Sequence, residues 1–377
     1  MPVSIRSIET VVPATAVPQQ AVRELFAGQP GTSRLQRRMI AAAFDAAAIE
    51  TRHTVLPELA GGGVPGRGFL DPATGALQPL PTGRRNAVYR EAAAELFITA
   101  AKQALAAAPG VLPGDVSHVV TVSCTGFYAP GPDIDIVRAL GVSPTVQRYH
   151  VGFMGCYAAF PALRAAADFC RADPDAVVLV VAVELCTLHL RPAVDADTVL
   201  SCSLFADGGA AAVVTARPAP PGAALLDLDA FGSTVVVEGQ HDMAWTIGDE
   251  GFEMVLSAQV PRLVGEHVRT ALEPLLGPGG DGYPEVQAWA VHPGGRSILD
   301  RVQAALQLAP EQLAPSREVL RRYGNMSSAT VLFVLQSLLR AAPVGAGGVC
   351  ALAFGPGLSV EAARLTRRTV SGAAGQG

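Results

Sequence analysis

The chain has 377 residues, half of them apolar and only 16% charged, with a formal net charge of −5. This length can build one large core or two fused halves, and an acidic balance without a basic stripe excludes a nucleic-acid binder. Mean hydropathy is +0.32, yet the longest strongly apolar run, Ala176 to Val183, stops at Glu184, far short of the ~18 residues that span a bilayer.

The opening Met1-Pro2-Val3-Ser4-Ile5-Arg6 lacks a basic stretch followed by an apolar one, so no secretory signal is expected and the location reads as cytoplasmic. Breaks fall at Gly61 to Gly83, at Arg217 to Gly222 and at Gly277 to Pro284, all rich in Gly and Pro. Between them strand and helix patterns alternate. Val116 to Val122 reads as a buried strand, Tyr157 to Phe169 as a helix opening at Cys156, and Val177 to Val183 and Ala210 to Thr215 as strands. Gln287 to Val291 and Gly348 to Phe354 read as strands around a helix over Ser327 to Leu339. The residues from Thr369 onward are expected to fray. Alternating short buried strands and helices predict an α/β layered fold. In each half a reactive candidate, Cys156 or Asn325, stands just before a helix. That suggests two related halves, 1–225 and 226–377, without a sequence repeat to prove it.

None of the six cysteines forms a close CxxC pair, so a metal site is not expected and buried reduced thiols are. Three fragments carry chemistry: Gly155-Cys156-Tyr157, His292-Pro293-Gly294-Gly295 and Gly324-Asn325-Met326-Ser327. Cys156 is open to two readings, a structural thiol or a nucleophile whose pKa is lowered by a helix N-terminus. His292 ends an apolar strand beside Pro-Gly-Gly. Asn325 alone would suit a helix N-cap. His53, His118, His150, His189, His241 and His267 lack such settings and read as surface or satisfied histidines. Together, a thiol that takes an acyl group and two donors that hold an enolate oxygen form a constellation for carbon–carbon bond formation on thioesters. Loss of carbon dioxide from a malonyl group generates the carbanion directly, so few carboxylates are needed.

These fragments, with "AVVLVVAVEL", "LFADGGAAAVV", "YGNMSSATVLFVL" and "FGPGLSVE", resemble the type III polyketide synthases, the chalcone-synthase-like branch of the thiolase fold. The resemblance is good from Val116 to Glu361 and loose over the first hundred residues. It implies a thiolase-like five-layered αβαβα fold and a homodimer. It also implies acyl-CoA starters, malonyl-CoA extenders and repeated condensation without a bound cofactor or metal. It makes Cys156 the nucleophile and His292 and Asn325 the enolate-stabilising donors. It places Cys124, Phe205, Trp245, Met254, Ser327 and the Phe354-Gly355-Pro356-Gly357 loop around the substrate. Cys124 stands where plant members carry threonine. Met254 stands where the family has a second phenylalanine, with Phe252 two residues away. Trp245 occupies an often small position and would restrict the cavity. The N-terminal cations used for CoA phosphates fall on alanines, with Arg34, Arg37 and Arg38 nearby. Without their help, delivery of the starter on a carrier protein gains weight. Pyrone, resorcinol or phloroglucinol-type products are all compatible. Two alternatives stand beside this reading: a single-round ketoacyl synthase, and a catalytically silent thiolase-like subunit.

Overall fold

The computed structural model describes residues 2–61, 66–192, 195–280, 282–341 and 346–371. The N-terminal half contains β1 (Ser4–Val11), β2 (Thr15–Pro18), α1 (Gln19–Ala27), α2 (Arg34–Ala46), β3 (Thr51–Thr54), α3 (Thr82–Ala107) and β4 (His118–Ser123). It continues through α4 (Pro132–Leu140), β5 (Gln147–Gly152), α5 (Ala159–Ala172), β6 (Val177–Leu185), α6 (Ala196–Leu204) and β7 (Asp207–Thr215). The second half opens with β8 (Ala224–Val235), β9 (Met243–Gly248), β10 (Gly251–Leu256), α7 (Val260–Leu276) and β11 (Val286–Val291). It closes with α8 (Arg296–Leu306), α9 (Ala314–Tyr323), α10 (Thr330–Arg340), β12 (Gly347–Gly355) and β13 (Ser359–Thr369). The C-terminal residues expected to fray lie, from 372 on, outside the described residues.

Nine strands hydrogen-bond in the order β11-β12-β13-β8-β1-β7-β6-β4-β5. The two halves repeat one pairing scheme. β4 runs parallel to β6, β6 antiparallel to β7, and β7 antiparallel to β1. Likewise β11 runs parallel to β12, β12 antiparallel to β13, and β13 antiparallel to β8. The halves meet where β1 touches β8 through just two residue pairs, Ser4 with Asp227 and Ile5 with Leu226. The boundary read from the sequence, between 225 and 226, therefore falls just inside β8 rather than in the loop before it.

Period-two alternation sorts the strand residues between layers. In β6, Val178, Val180 and Ala182 face a middle core shared with Phe160 and Leu163 of α5 and Val331 and Leu335 of α10. Val177, Leu179, Val181 and Val183 face an outer core with Tyr89, Phe97 and Ala101 of α3. In the second half Ala290 and Ala351 face the middle layer, whereas Trp289, Val291, Cys350 and Leu352 face α7 and α8. The result is helix, sheet, helix, sheet, helix, the five-layered arrangement of the thiolase-like fold. Strands buried on both faces explain the continuous apolar runs and the high mean hydropathy. No described helix is long and apolar enough to cross a membrane.

Candidate active site

Cys156 lies in the turn between β5 and α5. Gly155 takes φ 84°, which glycine adopts without a Cβ clash, and the Ala158 amide donates to its carbonyl at 3.0 Å. The loop after β12 interlocks with this turn. A Cβ on Gly155 would stand 2.3 Å from Pro356 Cδ, and one on Gly355 would stand 2.5 Å from the Tyr157 ring. Both glycines are therefore required for the close approach that seats the cysteine. Cys156 is buried, and burial pushes its thiol up to about 11 even though the Ser327 and Asn325 side chains hydrogen-bond to the sulfur. This corrects the expectation of a helix-lowered pKa: α5 starts only at Ala159, and loss of water outweighs a dipole that fades within a turn.

His292 follows β11, its backbone amide bonded to the Leu352 carbonyl at 2.8 Å. It is 1% exposed, and neither ring nitrogen has a partner among the described residues. Burial holds its pKa down to about 3, so the ring is neutral at physiological pH. Asn325 lies between α9 and α10. Its amide donates to the Leu204 carbonyl and its own carbonyl accepts from the Ala206 amide, both at 2.9 Å. Its Oδ1 accepts from the Ser327 amide at 2.9 Å and its Nδ2 donates to the Gly294 carbonyl at 3.3 Å. The side chain is thereby oriented, with its second N–H directed at the Cys156 sulfur.

Cys156, His292 and Asn325 line one cavity of about 290 Å³. Cys124, Phe205, Trp245, Met254, Ser327, Phe354 and Pro356 line it too. Gly355 and Gly357 do not belong to the lining; Gly355 acts through its close contact with Tyr157. Phe205, Cys186 and Met254 pack around Cys156. Phe252 and Met254 lie two apart on β10 and both reach the cavity, so neither replaces the other.

Trp245, opposite Met254 in the β9–β10 hairpin, donates its Nε1–H to the Cys124 carbonyl at 2.8 Å. It meets Phe252 edge-on, and His189 stacks on Phe252 at 4.2 Å. His189 also lines the cavity, a role the sequence did not signal. Its Nδ1 accepts from the Phe252 amide at 2.9 Å, which leaves Nε2–H to donate to the Thr125 carbonyl at 2.8 Å. That tautomer fits a ring whose pKa burial lowers to about 3.

Glu184 was also missed. It is fully buried at the end of β6 and accepts from the Cys124 amide at 3.0 Å, Thr125 Oγ1 at 2.8 Å and Ser328 Oγ at 2.5 Å. Cys124 Sγ stands 3.3 Å from Glu184 Oε1 and 3.4 Å from Ser327 Oγ. Burial raises the Glu184 pKa against the hydrogen bonds from Ser328, Cys124 and Thr125, and no cation among the described residues contributes. Its signal in the sequence was the single acidic residue ending an apolar run.

At the mouth, α2 presents Ala43, Ala46 and Ala47. With ~100° between successive residues, Arg34 and Arg38 point away from that wall, and among the described residues no ion pair engages Arg34, Arg37 or Arg38. Cations at the mouth come from elsewhere. Arg191 pairs with Glu253 at 3.2 Å, and Arg296 at the start of α8 pairs loosely with Asp300 at 3.6 Å.

The layers and a buried thiol sharing one cavity with an amide and an imidazole define a thiolase-like condensing enzyme. Residues 2–218 match the model for the N-terminal domain of chalcone and stilbene synthases, and residues 227–369 match the model for their C-terminal domain. The chain belongs to that family and is a type III polyketide synthase, an acyltransferase. It is 38% identical over 292 residues to bisdemethoxycurcumin synthase of Oryza sativa subsp. japonica, covering 74% of this chain and 72% of the relative. It is 34% identical to the alpha-pyrone synthesis polyketide synthase-like Pks18 of Mycobacterium tuberculosis, covering 75% and 73%. Among solved structures, PKS-I of the brown alga Ectocarpus siliculosus superposes with a TM-score of 0.88 at 29% identity, over 98% of each chain. The 1,3,6,8-tetrahydroxynaphthalene synthase of Streptomyces coelicolor A3(2) gives 0.85 at 27% identity, over 97% of this chain and all of that one.

Proposed function

We propose that Cys156 carries the growing chain while His292 and Asn325 hold the thioester carbonyl of malonyl-CoA. The carrying observation is the cavity that joins a buried thiol to an imidazole whose two nitrogens have no partner among the described residues. Neutral His292 accepts the thiol proton only as the sulfur closes on the starter carbonyl, because burial raises the thiol pKa and lowers that of the imidazole and so disfavours a standing ion pair. The thiolate attacks the starter carbonyl, and CoA leaves with a proton. In the next step malonyl-CoA loses carbon dioxide and its electron pair passes to the carbonyl oxygen, which His292 and Asn325 stabilise. The enolate carbon then attacks the acyl group on Cys156 and expels the thiolate, leaving the lengthened chain on CoA for return to Cys156. No bound cofactor takes part.

A cavity of about 290 Å³ lies at the lower end for small-molecule sites, and Trp245 closes one wall. Both features favour a short acyl starter and few extensions, ending in a pyrone, resorcinol or phloroglucinol-type ring. The enzyme acts in the cytoplasm as a homodimer. In support, β5 ends the sheet as an edge strand with Gln147, Arg148, Tyr149 and His150 exposed, and such an edge pairs readily with a second copy.

The test incubates the protein with malonyl-CoA and acetyl-, fatty and aromatic acyl-CoA starters and reads products by liquid chromatography and mass spectrometry. Tri- or tetraketides that vanish in Cys156→Ala, with malonyl decarboxylation retained, are expected. Full product from Cys156→Ala refutes the nucleophile. A single ketoacyl product would favour the one-round synthase. Turnover only with carrier-bound starters would refute CoA delivery.

A further inference from the structure

Arg52, on β3, is 3% exposed, and the condensation chemistry assigns it no task. Its Nη1 donates to the Cys202 carbonyl at 2.7 Å and to the Phe205 carbonyl at 2.9 Å. Those carbonyls lie at the C-terminal end of α6, where a cation complements the helix dipole. Its guanidinium carbon lies 5.5 Å from the centre of the Phe44 ring. Its stem packs on the turn that holds the proposed enolate donor: a Cβ on Gly324 would stand 3.1 Å from Arg52 Cγ and 3.0 Å from the Leu204 carbonyl oxygen. The segment that Arg52 grips is the one whose Leu204 carbonyl and Ala206 amide pair with the backbone of Asn325.

The cost of this arrangement argues against a filler. Nε and Nη2 have no partner among the described residues. Among the described residues no carboxylate pairs with the guanidinium within ion-pair distance; buried Asp207, whose oxygens accept from the Thr187 amide and hydroxyl and the Val55 amide, stabilises the charge only from a distance, and loss of water outweighs it. A buried charge without a paired partner is expensive, and apolar residues of similar volume usually serve stability as well or better. What an apolar side chain could not do is bind two carbonyls three residues apart and fix the end of α6 between them.

We propose that Arg52 is a positioning residue for condensation: it locks the 202–206 segment, and through it sets Phe205 at the cavity wall and Asn325 at the enolate oxygen. This rests on the role of Asn325 proposed above. Arg52 touches no reacting atom and acts on geometry alone. It should therefore affect the decarboxylation step that needs Asn325 more than the acylation step carried by the thiol and His292.

The experiment compares wild type, Arg52→Met and Arg52→Lys. It measures malonyl-CoA decarboxylation, acylation of Cys156 by intact-protein mass spectrometry, and the thermal midpoint. Misplacement of a donor by a fraction of an ångström to an ångström costs up to about 100-fold, so Arg52→Met should lose about 10- to 100-fold in kcat for decarboxylation. KM for malonyl-CoA and the rate of Cys156 acylation should move less than about threefold, the pattern of an interaction made in the transition state. Arg52→Lys, which keeps the charge on a more flexible stem, should recover most of the loss. In an Asn325→Ala background, Arg52→Met should cost almost nothing further, since the two act as one unit. Should Arg52→Met fail to fold, Arg52→Lys carries the test, with a smaller loss in the same direction that disappears in Asn325→Ala. Equal losses in decarboxylation and acylation, an unchanged decarboxylation rate, or additive losses with Asn325→Ala would overturn the proposal while leaving the condensing site intact. A wild type inert toward malonyl-CoA would overturn both.

Discussion

Buried His292 ties stability to pH in a way that can be calculated. In the unfolded chain its imidazole titrates near 6.5, and in the fold burial lowers that to about 3. A depressed folded pKa gives stability that is present in full above about pH 6.5 and is lost as pH falls toward 3. At pH 5 the unfolded chain has taken the proton and the folded one has not, which costs about 2 kcal/mol. His292→Gln removes the titration and keeps a similar shape. Guanidinium unfolding of both proteins at pH 7.5 and pH 5 isolates the term, because every other titrating group is common to the two. The stability of wild type relative to the variant should fall by about 2 kcal/mol between the two pH values. A difference unchanged to within about 0.5 kcal/mol would refute the neutral, desolvated imidazole, and with it His292 as acceptor of the thiol proton.

Trp245→Ala should open the wall at Cys124 and shift products toward longer starters or more extensions; an unchanged product profile would remove Trp245 as a limit on volume. Gly355→Ala places a Cβ against the Tyr157 ring and should destabilise the protein by about 1–3 kcal/mol while slowing alkylation of Cys156, which a thermal melt and iodoacetamide labelling would detect. Arg296→Glu should raise KM for malonyl-CoA about five- to tenfold with less effect on a malonyl pantetheine thioester, whereas Arg37→Glu/Arg38→Glu should leave both unchanged; the reverse order would return the phosphate contact to α2.

Elements with a strong local signal were legible in the sequence. The valine run of β6 and the alternation around β11 and β12 announce buried strands, because a strand covered on both faces has no room for polar residues. Cys156 and Asn325 were legible because each follows a glycine that takes a positive φ, and His292 because it ends an apolar strand before Pro-Gly-Gly. Effects that depend on distant packing were not. The acidity of Cys156 was misjudged because a helix start is visible locally, whereas the dry pocket is assembled from Phe205, Met254 and Cys186. His189 gave no cue, since its partners, Thr125 and Phe252, lie 64 and 63 residues away. The arginines of α2 were near the mouth in sequence but sit on the wrong side of their helix.

The shared pairing scheme of the two halves has a kinetic consequence. Cys156 belongs to the first half and His292 and Asn325 to the second, so the reactive trio exists only after segments more than a hundred residues apart have docked. Such non-local contacts form late, since loop closure must come before any reward. Return of decarboxylation after dilution from denaturant therefore acts as a clock for the final docking event, running behind the recovery of helical signal from α3 and α5.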